Sequence, residues 1–510
     1  MESTRDDQST KNLNKERDER PIVKSFDMFD TLVGRRCVDP HGVFLEMERR
    51  SGIPNLASAR IAAERSVASA SYGLDDIYRS LGSTFGVSDE ALESLKKLEL
   101  EIEWEMLFPI AQTCSFFGLE DLVVSDMYLP DEFLRKVLTD RCRLNPKRLY
   151  LSSDGKRSGR VWNAISQNYR ISEHFGDNLI TDIQSASRAG IVARHVQVSA
   201  QSQVESAVRD AGFPALSQLV REARLTTWHH SPSLRDVQML QIQLNFPLLF
   251  LGCLNLVVEA KRRGWQRILF SGRDGFLWCG LYQLLFPRLA DAPPCDYFYT
   301  SRIARMRPSE AYLRYFCALC KGERCVVVDL VGTGWSTTRL IEQAEVSNVD
   351  SFLIHWLDLP ALVERYEALA PLRTKVSPLA IVRRTANADD NEVLEELNRA
   401  PHPMVVDVEW TSAGFRPVLA PDDLSLATRR HLRLHHEAFN AAASLAADLA
   451  PAALSEMAKR PVTRLMEALY GAMAGHLPKI SQFRAGKSRD EALVFATLQA
   501  RMNAAADHDP

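Results

Sequence analysis

The sequence predicts an α/β protein: two doubly wound domains in succession, then a helical C-terminal region. Three observations lead there. Short apolar runs of strand length alternate with helical segments from residue 22 to about residue 200. The alternation restarts at about residue 235. In both halves the acidic, basic and hydroxyl residues follow directly on the apolar runs, at the strand ends where parallel sheets hold their ligands. Length agrees: 510 residues exceed what one hydrophobic core supports, at roughly 100 to 200 residues per domain.

Composition narrows the function classes. Hydrophobic residues make up 46% and charged residues 25%, an ordinary globular balance, and a net charge of −3 gives no overall attraction for nucleic acid, so any anion site must be local. Residues 1–20, MESTRDDQSTKNLNKERDER, have no apolar core. They read as a disordered, solvated tail and not as a signal peptide. The most apolar stretch, Phe246 to Val258, is interrupted by Pro247 and Asn255 and falls short of the about 20 apolar residues a bilayer requires. It reads as a buried helix. The nine cysteines form no disulfide framework, which points to a reducing, cytoplasmic location. Cys317, Cys320 and Cys325 come closest to a metal cluster, but no fourth ligand is nearby, so buried packing is favoured over zinc.

In chain order, the first element is an apolar strand over residues 22–33 carrying Asp27, Phe29, Asp30 and Thr31 at its end. Residues 39–118 are almost wholly helical, with heptad-like spacing in ALESLKKLELEIEWEML, and form an insertion between the first two strands. Ser125 then follows LEDLVV, Lys156 follows RLYLSS with Arg157 as the alternative, and Asp177 and Asp182 lie in GDNLITD. This first domain spans 21–210, and a linker is expected at 211–234.

The second domain, 235–420, opens with the helix LLFLGCLNLVVEAKRRG and the strand RILF, which ends on the turn Arg273-Asp274-Gly275. A further strand, DYFYT, ends on Ser301 and Arg302. A third, CVVVDLV, contains Asp329 and runs into a small-residue loop, Gly332 to Thr338, that opens a helix. There Thr333, Gly334, Ser336 and Thr337 provide backbone N–H groups, hydroxyls and a helix dipole, a construction for gripping phosphate. In the region 421–510, expected to be helical, no motif is complete. Glu395 reads as a solvated helix acid or a base for an acceptor hydroxyl. His431 and His435 read as part of an exposed basic face beside Arg429, Arg430 and Arg433.

Asp27 with Thr31, Ser125, Lys156, and Asp177 with Asp182 resemble, in order, the four motifs of the haloacid dehalogenase superfamily. The resemblance implies an aspartate nucleophile at Asp27 that forms an acyl phosphate, and magnesium held by Asp27, the backbone carbonyl of Phe29 and Asp177. It further implies Ser125 and Thr31 on phosphoryl oxygens, Lys156 neutralising charge, and Asp182 orienting Lys156 or the metal's waters. The helical insertion resembles the family's mobile cap. Family phosphatases place a general acid two residues after the nucleophile; here that position is Phe29. Asp30 could substitute, although strand alternation would point it elsewhere.

The strand, Asp329 and the Gly332–Thr338 loop resemble the phosphoribosyltransferases, with Leu330 where a second acid is usual. The resemblance implies that Asp329 approaches the ribose hydroxyls, that the loop holds the 5-phosphate, and that Arg273, Asp274, Gly275 and Arg302 face pyrophosphate. The order of the two parts resembles bacterial bifunctional ribofuranosyltransferases of surface-polysaccharide (O-antigen) assembly. It implies phosphoribosyl pyrophosphate as donor, a glycan acceptor that is lipid-linked or free, no nucleic acid, and a cytoplasmic enzyme, with contact at the inner membrane face left open. Three alternatives stand beside it: a nucleotide-metabolism enzyme using Trp335 or Trp356 against a base, a phosphatase with an auxiliary second half, and a non-catalytic nucleotide sensor.

Overall fold

The computed structural model describes residues 19–68, 71–86, 88–369, 371–384, 392–422 and 424–476. The chain divides into two compact units, Met1–Ala200 and Gln201–Pro510. Most of the N-terminal tail, and the part beyond residue 476 of the C-terminal region expected to be helical, lie outside the described residues.

The first unit is built on β1 (Ile22–Phe26), β4 (Leu122–Asp126), β5 (Arg148–Ser152), β6 (Arg170–Gly176) and β7 (Val192–His195), in the order β5-β4-β1-β6-β7. Every neighbouring pair is parallel. The chain winds from β1 towards β5, then returns to the other side of β1, so the crevice between β1 and β6 is a topological switch point. A small antiparallel pair, β2 (Val33–Arg35) and β3 (Leu107–Pro109), stands at the root of the helical insertion. The first strand is shorter than its apolar run suggests: β1 stops at Phe26, and a tight loop precedes β2.

The insertion comprises α1 (Gly42–Ser51), α2 (Leu56–Val67), α3 (Leu74–Phe85) and α4 (Asp89–Met106). Its apolar stripes close on one another through Phe44, Met47, Ile77, Leu81 and Ile102. Within it Arg60 is fully buried against Glu99 in a two-pronged pair at 2.7 and 2.8 Å, and the Tyr78 hydroxyl donates to the same carboxylate.

The second unit carries β8 (Arg267–Ser271), β9 (Cys295–Phe298), β10 (Cys325–Gly332), β11 (Val349–Leu357) and β12 (Leu379–Arg384), ordered β12-β11-β10-β8-β9 and again all parallel. Its switch point falls between β8 and β10, so the loops after these two strands open into one crevice. A hairpin of β13 (Val405–Thr411) and β14 (Gly414–Leu419) is added beyond the sheet.

Two expectations change here. The stretch 211–234 is not a linker: the helix Pro214–Thr226 buries Leu216, Leu219, Val220 and Ala223 in the second unit's core. The spacing of those four residues is that of an amphipathic helix, which must bury its stripe. The helices Leu426–Ala446, Pro451–Ala458 and Thr463–Ala474 join the same core, packed with the helix Phe246–Arg263. That helix is buried, as its sequence predicts. Together with the preceding turns, Pro232–Arg263 is long and apolar enough to cross a membrane, and 83% of its most apolar window is buried inside the protein.

His431 and His435 are likewise not on an exposed face; with His436 they are buried. They share a helix side with Leu432, Ala438, Phe439 and Ala442, and four-residue spacing carries both inward. The Gln241 amide donates to His435 Nδ1 at 2.7 Å, and Asn245 links Gln241 to Asn398 at 2.7 and 3.0 Å. Burial pushes His431 and His436 each down to about 4, against about 6.5 in an unfolded chain. As pH falls the unfolded chain takes up these protons first, so the stabilisation from neutral histidines is complete above about 6.5 and drains away towards 4. The second unit should lose on the order of 3–4 kcal/mol between pH 7 and pH 5, about half from each of the two histidines. Denaturation midpoints measured across that range should fall, and His431→Gln/His436→Gln should flatten the dependence. An equally steep fall in the double variant would refute the assignment.

Candidate functional site

In the first unit, the backbone places Asp27 at the end of β1. Its N–H donates to the Phe175 carbonyl of β6 at 2.7 Å. The chain then folds tightly: Leu32 and Val33 both donate to the Met28 carbonyl, and Asp30 donates to Val33 O. This loop requires a left-handed backbone at Asp30, φ 55°, a conformation aspartate tolerates because its short side chain bonds locally. Strand alternation therefore does not govern Asp30. Its charge acts on Asp177 and on Arg35. Phe29 packs its ring under the Arg35 guanidinium, 4.2 Å away, and Arg35 pairs with Glu103 of α4 at 3.0 Å.

Lys156 follows β5 in a turn held from two sides. The Asp126 carboxylate accepts the Lys156 N–H at 3.0 Å and the Ser152 hydroxyl at 2.6 Å. On the other side Ser185 donates to the Lys156 carbonyl and accepts the Trp162 indole N–H at 2.9 Å. The ammonium is thereby brought to Asp27 Oδ1 at 2.5 Å and Asp182 Oδ1 at 2.6 Å. Arg157 is exposed, so the structure selects Lys156 of the two basic candidates.

Asp182 is fully buried, and both of its oxygens are occupied. Oδ1 also faces His174 Nε2 at 3.3 Å, Oδ2 accepts the Asn178 N–H at 3.0 Å, and His174 is fixed through Nδ1 by Ser25 Oγ at 2.9 Å. Gly176 makes room for this arrangement: a Cβ there would lie 2.4 Å from Asp182 Cβ. Ser125 is buried at the end of β4, and the buried Thr31 hydroxyl has no hydrogen-bond partner among the described residues.

Carboxylate oxygens of Asp27, Asp177 and Asp182 lie within 4.8 Å of one another, an arrangement able to hold a metal ion. The electrostatics favour one. Three carboxylates face one ammonium, an excess of two negative charges in a buried site. Burial raises the Asp27 carboxyl well above the carboxylate range, against Lys156, and the charges of Asp182 and Asp177 raise it further. Burial together with Asp30 and Asp182 pushes Asp177 up to about 6. Burial opposes the charge on Asp182 as well, but the His174 bond and Lys156 hold it down to about 2. A divalent cation would remove the excess, and hard carboxylate oxygens suit such an ion. Among the described residues no such group includes Cys317, Cys320 or Cys325; Cys317 is exposed, and Cys325 donates its thiol to the Cys320 carbonyl.

The second unit holds a cavity of about 420 Å³ at its switch point. Arg273, Asp274, Arg302, Asp329, Thr333, Gly334, Ser336 and Thr337 all line it, as does Glu395, which is therefore not simply a solvated helix acid. Gly275 is off the wall and makes the turn: a Cβ there would lie 2.7 Å from the Ser271 carbonyl. Gly334, at φ 79° and with a Cβ position 3.0 Å from Pro378 Cγ, lets the loop bend into the helix Trp335–Gln343.

Asp329 is more occupied than its motif suggests. Its Oδ2 accepts both terminal nitrogens of Arg305 at 3.1 Å, and its Oδ1 accepts the Leu330 N–H. Arg305 also donates to Thr337 Oγ1 at 2.7 Å. Arg302 reaches the Tyr366 hydroxyl at 3.3 Å. Leu330 is fully buried, and Trp335 is buried beside Tyr366.

Sequence reasoning missed His174, Ser25 and Arg305. The first two are every-other-residue positions inside strands and carry no local mark. Arg305 had one available signal, its three-residue spacing from Arg302 on the short helix after Ser301.

No protein-family model matches the chain, and no curated protein matches it.

Two variants separate metal holding from scaffold. Asp177→Asn should weaken divalent-ion binding about tenfold or more, read by titration calorimetry, with little change in stability. Asp182→Ala should cost roughly 3–5 kcal/mol of stability, because it strips a partner from a buried ammonium. The reverse ranking in the two measurements would overturn these roles.

Proposed function

We propose that the chain is a two-step ribofuranosyltransferase: the second unit transfers 5-phosphoribose from phosphoribosyl pyrophosphate to a glycan hydroxyl, and the first unit removes the 5-phosphate. The observation that carries the reading is the Lys156 ammonium bridging Asp27 and Asp182 inside a three-carboxylate cluster, at the strand ends where a haloacid dehalogenase-type phosphatase needs them.

In that site one Asp27 oxygen is engaged by Lys156 and the other attacks phosphorus. The bond from phosphorus to the ribose 5-oxygen breaks, and an aspartyl phosphate forms. The leaving alkoxide takes a proton. Phe29 cannot give one, and Asp30, freed from strand alternation by its left-handed backbone, is the acid this loop offers. Water then attacks the phosphorus of the acyl phosphate, releasing inorganic phosphate and regenerating Asp27. Lys156 enters the reaction charged, because Asp27 and Asp182 hold its proton in spite of burial. Ser125 and Thr31 supply hydroxyls to the phosphoryl oxygens. Magnesium, held by Asp27, Asp177 and the carbonyl of Phe29, would screen the repulsion between carboxylate and phosphate. The helical insertion supports a small, enclosed substrate: the Tyr72 N–H bonds Ser153 Oγ and the Leu74 N–H bonds the Tyr128 carbonyl, both at 3.0 Å, over the ends of β4 and β5.

In the second unit, pyrophosphate leaves the anomeric carbon with the bonding electrons, the acceptor oxygen bonds to that carbon, and its proton passes to a base. Arg273 and Arg302 line the cavity and would meet the leaving group, and Glu395, which also lines it, would take the proton. Attachment to a nucleobase is the weaker reading. Trp335 is 1% exposed, and Trp356 lies under the Arg383 guanidinium at 4.3 Å. On this reading the enzyme works in the cytoplasm on a glycan, free or lipid-linked, and not on nucleic acid.

Incubated with magnesium, phosphoribosyl pyrophosphate and a pool of bacterial glycans, the protein should release pyrophosphate and phosphate together, and only with acceptor. Asp27→Asn should keep pyrophosphate release and reduce phosphate release by about 10³-fold or more. Phosphate release from ribose 5-phosphate with no pyrophosphate release under any condition would leave a phosphatase with an auxiliary second unit.

A further inference from the structure

The turn that carries Arg273 is fastened by a chain of short polar contacts. Gly272, at φ 65°, gives its N–H to the Phe298 carbonyl of β9 at 3.1 Å. Its own carbonyl lies 2.6 Å from the Tyr297 hydroxyl. That hydroxyl lies 2.8 Å from His402 Nε2, and His402 Nδ1 lies 2.7 Å from the Pro403 carbonyl. Gly272 and Arg273 both line the cavity, so a change in this chain of contacts is felt at the wall of the site.

The protons available do not fill all of these contacts while His402 is neutral. A carbonyl only accepts, so Nδ1 must carry a proton to bond Pro403. Nε2 of the neutral ring is then bare, and the single Tyr297 proton faces two acceptors, Nε2 and the Gly272 carbonyl. Tyr297 keeps that proton, because burial and the Asp274 charge raise its hydroxyl above the ordinary tyrosine value. With His402 as imidazolium every contact becomes a hydrogen bond: Nδ1–H to Pro403, Nε2–H to the Tyr297 oxygen, and the Tyr297 O–H to Gly272.

The neighbours decide when His402 charges. Its ring is met by Tyr297 and Tyr299 of β9, with centroids 5.8 and 5.5 Å away, and the charged group that acts on it among the described residues is Arg273, in the turn after β8. Burial holds the imidazole below its ordinary range, against the Pro403 bond, and the Arg273 cation lowers it further. An anion seated on Arg273 offsets that repulsion and so favours the imidazolium.

We propose that His402 is a positioning residue of the second unit: as the pyrophosphate group of the donor settles on Arg273, His402 takes up a proton from solvent at Nε2, and the Tyr297 bond to Gly272 is completed. The proposal rests on the phosphoribosyl reading of the second unit. The turn is thereby firmest while pyrophosphate is held, and the proton returns to solvent when pyrophosphate leaves. Coupling is reciprocal: pyrophosphate raises the proton affinity of His402, and the proton raises the affinity for pyrophosphate. The effect is complete below the midpoint of the ligand-free imidazole and is lost as pH rises through the midpoint of the complex.

Two variants test it in the whole chain. His402→Gln presents an amide N–H to the Tyr297 oxygen at every pH and cannot titrate. Tyr297→Phe keeps the ring and removes the hydroxyl. Binding of inorganic pyrophosphate with magnesium is followed by calorimetry in buffers of different ionisation heat, in an Asp27→Asn background so that nothing is hydrolysed. The first unit and the protons carried by pyrophosphate itself are common to all the chains, and differences therefore isolate His402. Compared with His402→Gln, the parent should take up a further fraction of a proton, up to about one per pyrophosphate, at about pH 6–7. Its affinity relative to that variant should rise about threefold or more from about pH 8 to about pH 6. Tyr297→Phe should lose the extra proton uptake and bind about tenfold more weakly at the lower pH, through loss of one charge-assisted contact. A purely structural histidine would change affinity in the variants and leave the proton count alone. Equal proton uptake by the parent and either folded variant overturns the role of His402 and leaves the phosphoribosyl reading standing. If the parent binds no pyrophosphate, the reading and the proposal fall together.

Discussion

Lys156 is almost wholly removed from solvent between Asp27 and Asp182, and the cost of burying that ammonium dictates much of what surrounds it. A charge so placed must be paired, and its partners must be fixed in turn. Asp182 is therefore saturated by His174 and the Asn178 N–H, His174 is tied to Ser25 on β1, and the lysine's own turn is clamped by Asp126 and Ser185. The result is a frame in which, of the three clustered carboxylates, Asp182 is committed within the protein. Such preorganisation holds the charged groups in place before any charged partner arrives.

The same constraint is solved differently in the second unit. There the buried cation is Arg305, and its partner Asp329 is spent on holding it. An acid at a strand end therefore performs different tasks in the two halves. Asp27 meets Lys156 through Oδ1, whereas Asp329 has both oxygens committed within the protein. Charge type and position in the motif are alike, and the difference lies in what the neighbouring element brings. The short helix after β9 delivers Arg305 to Asp329, while the turn after β5 delivers a lysine that is shared with Asp182.

Sheet topology explains why both sites sit where they do. In each unit the connections reverse direction beside the first strand, which opens a crevice between strand ends. Asp27 and Asp177 flank that crevice in the first unit, and the loops after β8 and β10 flank it in the second. The remaining helices serve mainly to bury the sheets. The helices Phe246–Arg263 and Leu426–Ala446 do this for the second sheet, the latter carrying three neutral histidines inward.

Much of this was legible in the chain. Apolar runs of strand length, each closed by a polar residue, located β1, β4, β5, β6, β8, β9 and β10. They also identified Asp27, Ser125, Lys156, Asp177, Asp182 and the Gly332–Thr338 loop, because period and termination are local properties of a sequence. What the chain could not decide was which side chains meet. Lys156 and Asp27 are 129 residues apart, and nothing near either residue favours Lys156 over Arg157. Asp30 was read by strand alternation, but a tight loop turned it. His431 and His435 were read as surface from their arginine neighbours, whereas the helix face that buries them is set by a core drawn from residues 208 to 473. The stretch 211–234 was read as a linker for the same reason. The sequence by itself determined the alternation of elements and the polar residues at strand ends. Only the tertiary structure decided which charges are buried together and which donors are left without partners, because pairing and desolvation depend on contacts between segments that local pattern does not encode.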